Sequence, residues 1–254
     1  MTVATETKRG RNPEMMRMMA STGATHFCWT DESDAALLIF GGMPITDTAW
    51  VPFQFVQSTL SMPVNKVYLR DMHRSWYHHG LRPDGVAIDD SAAFLMENLI
   101  AQGVKRIVCI GSSAGGYAAM LFGHLINADE VHAFAPRTYV DVDNRLKYDD
   151  FYMDQYVENL YGYELAQKEY FDLRTVFEAR DNGRTNYFIH YTREIRNDCV
   201  NADHLLGVSR VYRHEYQEGA HRIARALRDN GHLDTLLDTA LHGETPAEDK
   251  VYDF

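Results

Sequence analysis

The sequence predicts a doubly wound α/β fold, a mostly parallel β-sheet flanked by helices and carrying a helical, lid-like insertion. Three observations predict it. Short apolar runs alternate with segments of helical period along the chain. A glycine-rich turn joins one of those runs directly to an apolar helix. The chain's 254 residues, 45% hydrophobic and 24% charged, are enough for one sizeable core. The reading divides the chain into an N-terminal segment 1–25, a main domain 26–242 with an insertion at 141–180, and a C-terminal tail 243–254.

Taken in order, Ala35-Ala36-Leu37-Leu38-Ile39-Phe40 is a buried strand stopped by Gly41-Gly42-Met43-Pro44, and Lys66-Val67-Tyr68-Leu69-Arg70 is a second. Asp89, Asp90 and Ser91 offer N-cap oxygens to a helix carrying Ala92, Leu95, Met96, Leu99 and Ile100, which Gly103 ends. Arg106 to Ile110 forms a third strand, Gly115 to Ile126 a helix apolar almost all round, and Val131 to Ala135 a fourth strand. Asn186 to Tyr191 and Ser209 to Tyr216 complete the sheet. Helices over Arg222 to Arg228 and Leu233 to Leu241 meet at Asn230-Gly231, and the polar tail from Gly243 is expected to fray. Between Asp141 and Arg180 no strand pattern exists. Acidic residues interleave there with Tyr148, Phe151, Tyr152, Tyr156, Tyr161 and other aromatics, which predicts about two helices over the sheet's edge.

Composition excludes several functions. Lys plus Arg number 25 against 36 Asp plus Glu, so at net −11 nucleic acid and membrane surfaces are not expected partners, and a strongly anionic substrate is disfavoured. Cys28, Cys109 and Cys199 fit neither a disulfide framework nor a metal-thiolate spacing, which points to a reducing, cytoplasmic setting. No signal peptide or membrane span is read in the sequence.

Gly111-Ser112-Ser113-Ala114-Gly115 matches G-x-S-x-G after a strand and before a helix, the context in which that pattern lifts a serine hydroxyl above a sheet. Ser113 is thereby the candidate nucleophile. Donors for a developing oxyanion are available from the Ala114 N–H and from Gly42 or Met43 in the earlier turn. A base is required, and His221 lies between the last strand and a helix, whereas His214 falls inside the strand and reads as a packed side chain. For the acid that orients the base, Glu194, Asp198 and Asp203 follow the fifth strand; Asp198 is preferred and Asp203 is next, although Asp203 also suits an N-cap. Asp71, Trp76 and Tyr77 sit beyond a strand's C-terminal end, where ligands bind in open sheets, and are candidate substrate-binding residues. His73, His78 and His79 nearby read as a solvated loop, and neither a metal nor an organic cofactor is expected.

With these residues in place the chain resembles the α/β-hydrolases, and within them compact bacterial members associated with polysaccharide biosynthesis or accessory secretion. The resemblance rests on Phe40-Gly41-Gly42, on Asp71 with Trp76-Tyr77 and Gly80, and on Gly111 through Ala119. Ala133-Phe134-Ala135-Pro136 and Tyr170-Phe171-Asp172-Leu173 extend it, and it runs from about Phe27 to Leu241. It implies a nucleophile at Ser113, a base at His221 and an acid at Asp198. One departure stands in the acid loop, where Asn201 replaces an expected histidine. The expected activity is hydrolysis of a carboxylic ester, with a small-molecule or glycan-linked acyl ester as substrate. Acyl transfer or thioester hydrolysis through the same intermediate, and a non-catalytic role in a glycan or secretion assembly, are the alternatives.

Overall fold

A strand that is apolar at every position must be covered on both faces, and the sheet is built that way. A computed structural model describes residues 12–44, 50–82 and 87–253. Its strands are β1 (Thr25–Cys28), β2 (Ala35–Phe40), β3 (Asn65–Leu69), β4 (Arg106–Ser112), β5 (Glu130–Phe134), β6 (Asn186–Thr192), β7 (Val211–Tyr216) and β8 (Lys250–Tyr252). They form one sheet in the order β1-β3-β2-β4-β5-β6-β7-β8, parallel throughout except for the antiparallel edge strand β1. All six residues of β2 are buried: Ala36, Leu38 and Phe40 join one hydrophobic layer, Ala35, Leu37 and Ile39 the other. The period of two thus divides one apolar run between two cores.

Helices α3 (Ile88–Ala101) and α4 (Ala114–Leu125) contribute to the first layer. The second includes α9 (Ile223–Asp229) and α10 (His232–His242), with Met18 of α1 (Pro13–Ala20) and the short α2 (Val56–Thr59) beside them. Between β5 and β6 lie α5 (Val142–Tyr148), α6 (Asp154–Tyr161), a 3-10 turn at Lys168–Tyr170 and α7 (Leu173–Ala179), so the insertion holds more short helical pieces than expected. Its aromatics divide: Tyr156, Phe171 and Phe177 are buried, whereas Phe151 and Tyr152 are exposed. Helix α8 (Arg196–His204) follows β6 directly.

Three local expectations are corrected. The tail does not fray: Lys250–Tyr252 pairs in parallel with β7, and Tyr252 stacks on Tyr216 at 4.5 Å between ring centroids. Ala87, not an acidic residue, is the N-cap of α3; Asp89 and Asp90 lie in its first turn, and Ser91 Oγ accepts the Leu81 N–H at 2.9 Å. The His73–His79 stretch is not simply solvated, because His78 is fully buried with its Nε2 3.1 Å from Tyr117 Oη, and His79 stacks on Tyr163. Burial of His78 holds its pKa down at about 3.

A second group of imidazoles lies within the sheet. His132 of β5, His190 of β6 and His214 of β7 are all buried, with His132 Nδ1 3.1 Å from His190 Nε2 and His190 Nδ1 3.0 Å from Tyr216 Oη. Glu130 faces His132, and Tyr252 and Lys250 flank His214. Burial lowers the pKa of all three, that of His214 to about 4. A base whose folded pKa is depressed binds fewer protons than the unfolded chain once the pH drops below its ordinary value, so stability is present above that value and is lost toward the folded one. For His214 the interval from 6.5 to about 4 corresponds to about 3 kcal/mol. Urea unfolding should therefore show a midpoint that falls as the pH drops from about 6.5 toward about 4. A midpoint constant across that range would contradict neutral packing of these imidazoles.

Candidate active site

Strand β4 enters the site, turns sharply at Ser113, and leaves as α4. Ser113 adopts φ 55° and ψ −117°, a region that costs a non-glycine residue strain. The turn is possible because its neighbours lack side chains. A Cβ on Gly111 would lie 2.0 Å from Gly115 O, and one on Gly115 would lie 2.2 Å from Phe40 O. Backbone occupies both spaces, so no side-chain adjustment relieves either collision.

His221 meets this serine from the loop after β7. Gly219 at φ 126° and Ala220 at φ 49° bend the chain there as it enters a single 3-10 turn at Ala220–Arg222. The bend brings His221 Nε2 to 3.1 Å from Ser113 Oγ and His221 Nδ1 to 2.8 Å from Asp198 Oδ1. A carboxylate only accepts, so Nδ1 carries the proton and Nε2 offers its lone pair to the serine O–H. Both distances are hydrogen-bond distances, so Nε2 is within reach of the Ser113 proton and Asp198 is placed to orient the ring without taking a proton itself.

Asp198 is buried in the first turn of α8, and its second oxygen has no partner among the described residues. The adjoining Asn201 fixes that helix. Its Oδ1 accepts the Thr138 N–H at 2.8 Å, and Thr138 Oγ1 donates to Asn201 O at 2.9 Å, tying α8 to the segment after β5. The residue that departs from the family pattern is therefore a buried tether. Asp203 stands apart, exposed and paired with Arg213 at 2.7 Å, and it lies late in α8 rather than capping a helix of its own. Glu194 accepts the Ala220 N–H at 3.3 Å, a contact with the His221 loop rather than with its ring.

Gly42 requires a correction. Its N–H donates to Gln54 Oε1 at 3.0 Å, while Gln54 Nε2 donates back to Gly42 O at 2.8 Å, so Gly42 has no N–H to offer an oxyanion. Among the described residues no acceptor takes the N–H of Met43 or of Ala114, and both residues line the cleft of about 190 Å³ at Ser113. The glycine serves another purpose: a Cβ there would lie 2.5 Å from Ser112 O, so the turn could not close on the elbow.

The three expected substrate contacts also separate. Trp76 lines the cleft, but Asp71 and Tyr77 are scaffold. The Asp71 carboxylate, buried, accepts backbone N–H groups of His73, Ser75 and Tyr77 at 3.2, 2.6 and 3.1 Å. Burial raises its pKa while those donors oppose the shift. Tyr77 is likewise buried and donates its hydroxyl to Gly41 O at 2.8 Å, which holds the glycine turn in place.

Two further cleft residues gave no motif-level signal. Gln54 comes from an irregular segment with nothing to distinguish it. Arg137 follows Pro136 just beyond the C-terminal end of β5, a rim position from which a polar residue can reach a ligand. Its buried guanidinium bonds Asp150 and lies over Tyr152, fastening the insertion to the site. Burial lowers the pKa of Arg137, against the influence of Tyr139 and Asp198.

No protein-family model and no curated protein sequence matches the chain. Solved structures do. An α/β hydrolase from the metagenome of sediments of the lagoon of Mar Chica, Morocco, aligns over 88% of this chain and 97% of its own at 12% identity and TM-score 0.54. The fold is that of the α/β-hydrolases. A capsule O-acetyltransferase of Neisseria meningitidis serogroup A shares this α/β-hydrolase-like framework over 85% of this chain and 91% of its own, at 14% identity and TM-score 0.61. A glycosylation-associated protein complex from Streptococcus agalactiae aligns over 87% of this chain but 45% of its own, at 13% identity and TM-score 0.59. At these identities the likeness concerns the fold. No helix among the described residues is long and apolar enough to cross a membrane.

Proposed function

We propose that the protein is a serine acyl hydrolase acting on a carboxylic ester. The observation that carries this reading is the continuous hydrogen-bond chain from Ser113 through His221 to Asp198. In the first step His221 Nε2 takes the hydroxyl proton as Ser113 Oγ bonds to the ester carbonyl carbon, and the charge on the carbonyl oxygen is met by the N–H groups of Met43 and Ala114. The bond from that carbon to the alkoxy oxygen then breaks, His221 returns the proton to the departing alcohol, and an acyl-Ser113 ester remains. Water, giving a proton to the same imidazole, then bonds to the acyl carbon; the bond from that carbon to Ser113 Oγ breaks, His221 returns the proton to Oγ, and the acid is released. The chain's own residues supply every group these steps require.

Transfer uses the same acyl-enzyme, with a hydroxyl of a small molecule or glycan replacing water. Similarity in fold to a capsule O-acetyltransferase makes this the second reading. A panel of aromatic esters, thioesters and sugar acceptors separates the two by the ratio of released acid to acylated acceptor.

Asp198→Asn should lower ester turnover by up to about four decades while leaving the fold intact, because the amide favours the wrong tautomer of His221. Asp203→Asn, at an exposed ion pair, should change it less than about tenfold. The reverse ranking would move the acid to Asp203 and break the proposed constellation.

A further inference from the structure

The cleft at Ser113 continues beyond the serine. Gln54, Ser112 and Arg222, which line it, also line an adjoining groove of about 210 Å³ that runs along α9 past Arg225 and Arg228. The three arginines recur every third residue, while Ile223, Ala224 and Leu227 between them are buried in the core. Arg225 and Arg228 share one carboxylate, that of Asp229, at 3.5 and 2.6 Å. Among the described residues Arg222 has no carboxylate partner. Three cations against one anion leave this groove with a positive excess in a chain of net charge −11.

Local charge outweighs the total here. Exposed charges farther away than the Debye length, about 8 Å at physiological ionic strength, are largely screened, whereas groups lining the groove act on a ligand at contact distance. The planar guanidinium fork also matches a carboxylate or a phosphate in geometry, which a diffuse negative field does not counter. The expectation that disfavours a strongly anionic substrate, drawn from net charge, therefore does not carry over to this groove.

We propose that Arg222 and Arg225 form an anion subsite that binds a phosphate or carboxylate on the alcohol side of the substrate, or on the acceptor in transfer. This inference rests on the proposed roles of Ser113 and His221. The alcohol oxygen must stand at His221 Nε2 to receive its proton, and Arg222 is the next residue in the chain, at the junction between cleft and groove. An anionic group a few bonds from the ester oxygen thus reaches the arginines while the carbonyl faces Ser113. Arg228, held by Asp229 at 2.6 Å, forms the far wall.

Phenyl phosphate and benzoate serve as probes of the two anion chemistries, with benzyl alcohol as the neutral control. Calorimetry should detect binding of at least one anion to the wild type and none of the alcohol. Arg222→Gln/Arg225→Gln should weaken that binding by about tenfold or more, and Arg222→Lys/Arg225→Lys, which keeps the charge but not the planar fork, should restore only part of it. If the double glutamine variant fails to fold, Arg222→Gln alone provides the comparison. The bound anion should also slow fluorophosphonate labelling of Ser113 in the wild type and not in the glutamine variant. Arginine-dependent binding by a protein whose Ser113 never labels would refute the catalytic reading and leave the anion subsite standing. Equal binding to wild type and variant, or no binding of either anion, would overturn the subsite.

Discussion

His221→Ala is expected to reduce ester turnover by about four to six decades, close to complete loss of the serine pathway. The size follows from its place between two partners: among the described residues it is the group bonded both to Ser113 Oγ, at 3.1 Å, and to Asp198, at 2.8 Å, so both of the proposed roles pass through it. Its side chain is 43% exposed, so its removal leaves little buried void and should cost little stability. His214→Ala is the matched control with the opposite balance. That imidazole is buried on β7, between β6 and the edge strand β8, beside His190 and Tyr252, and deleting it should destabilise by about 2 to 4 kcal/mol through lost packing. Measured at equal folded fraction, the His214 variant should retain activity and the His221 variant should not. Toward acidic pH the buried histidines should cost the wild type stability, whatever happens to its turnover. Activity should therefore be followed under conditions where folding is verified.

The parts of this fold that were legible in the sequence are those dictated by local physics. Ala35–Phe40 is apolar at every position and could only be a strand covered on both faces. Gly111 and Gly115 are required by backbone approach, so their spacing about Ser113 carried structural meaning before any coordinates. His221 was distinguished from eleven other histidines by its position after the last long strand. What the sequence concealed depends on contacts between distant segments. Gln54 occupies the Gly42 N–H from twelve residues away, which is why the proposed mechanism uses the Met43 N–H instead, and no pattern announces such a pairing. Asp71 and Tyr77 look like rim residues in sequence but spend their polar atoms on neighbouring backbone. The tail lacks enough apolar residues to advertise a strand, yet a free edge on β7 and a Tyr216 ring suffice to order it. Local charge was hidden for a related reason, since a total of −11 gives no sign that three arginines gather along one groove.

Ser113→Ala should be the most damaging substitution for chemistry and among the mildest for structure. It removes one hydroxyl from a half-buried turn, preserves the backbone that the flanking glycines permit, and deletes the atom that bonds the acyl group in the proposed mechanism. Only residual catalysis from oxyanion donors and binding should survive, about six decades below the wild type. Intact and peptide mass spectrometry after treatment with a fluorophosphonate probes the same atom directly. The wild type should gain a single adduct on Ser113, the adduct should disappear in Ser113→Ala, and His221→Ala should label far more slowly. A wild type that remains unlabelled while a control esterase reacts, or an adduct that maps to Ser112, would contradict the assignment of Ser113 as nucleophile.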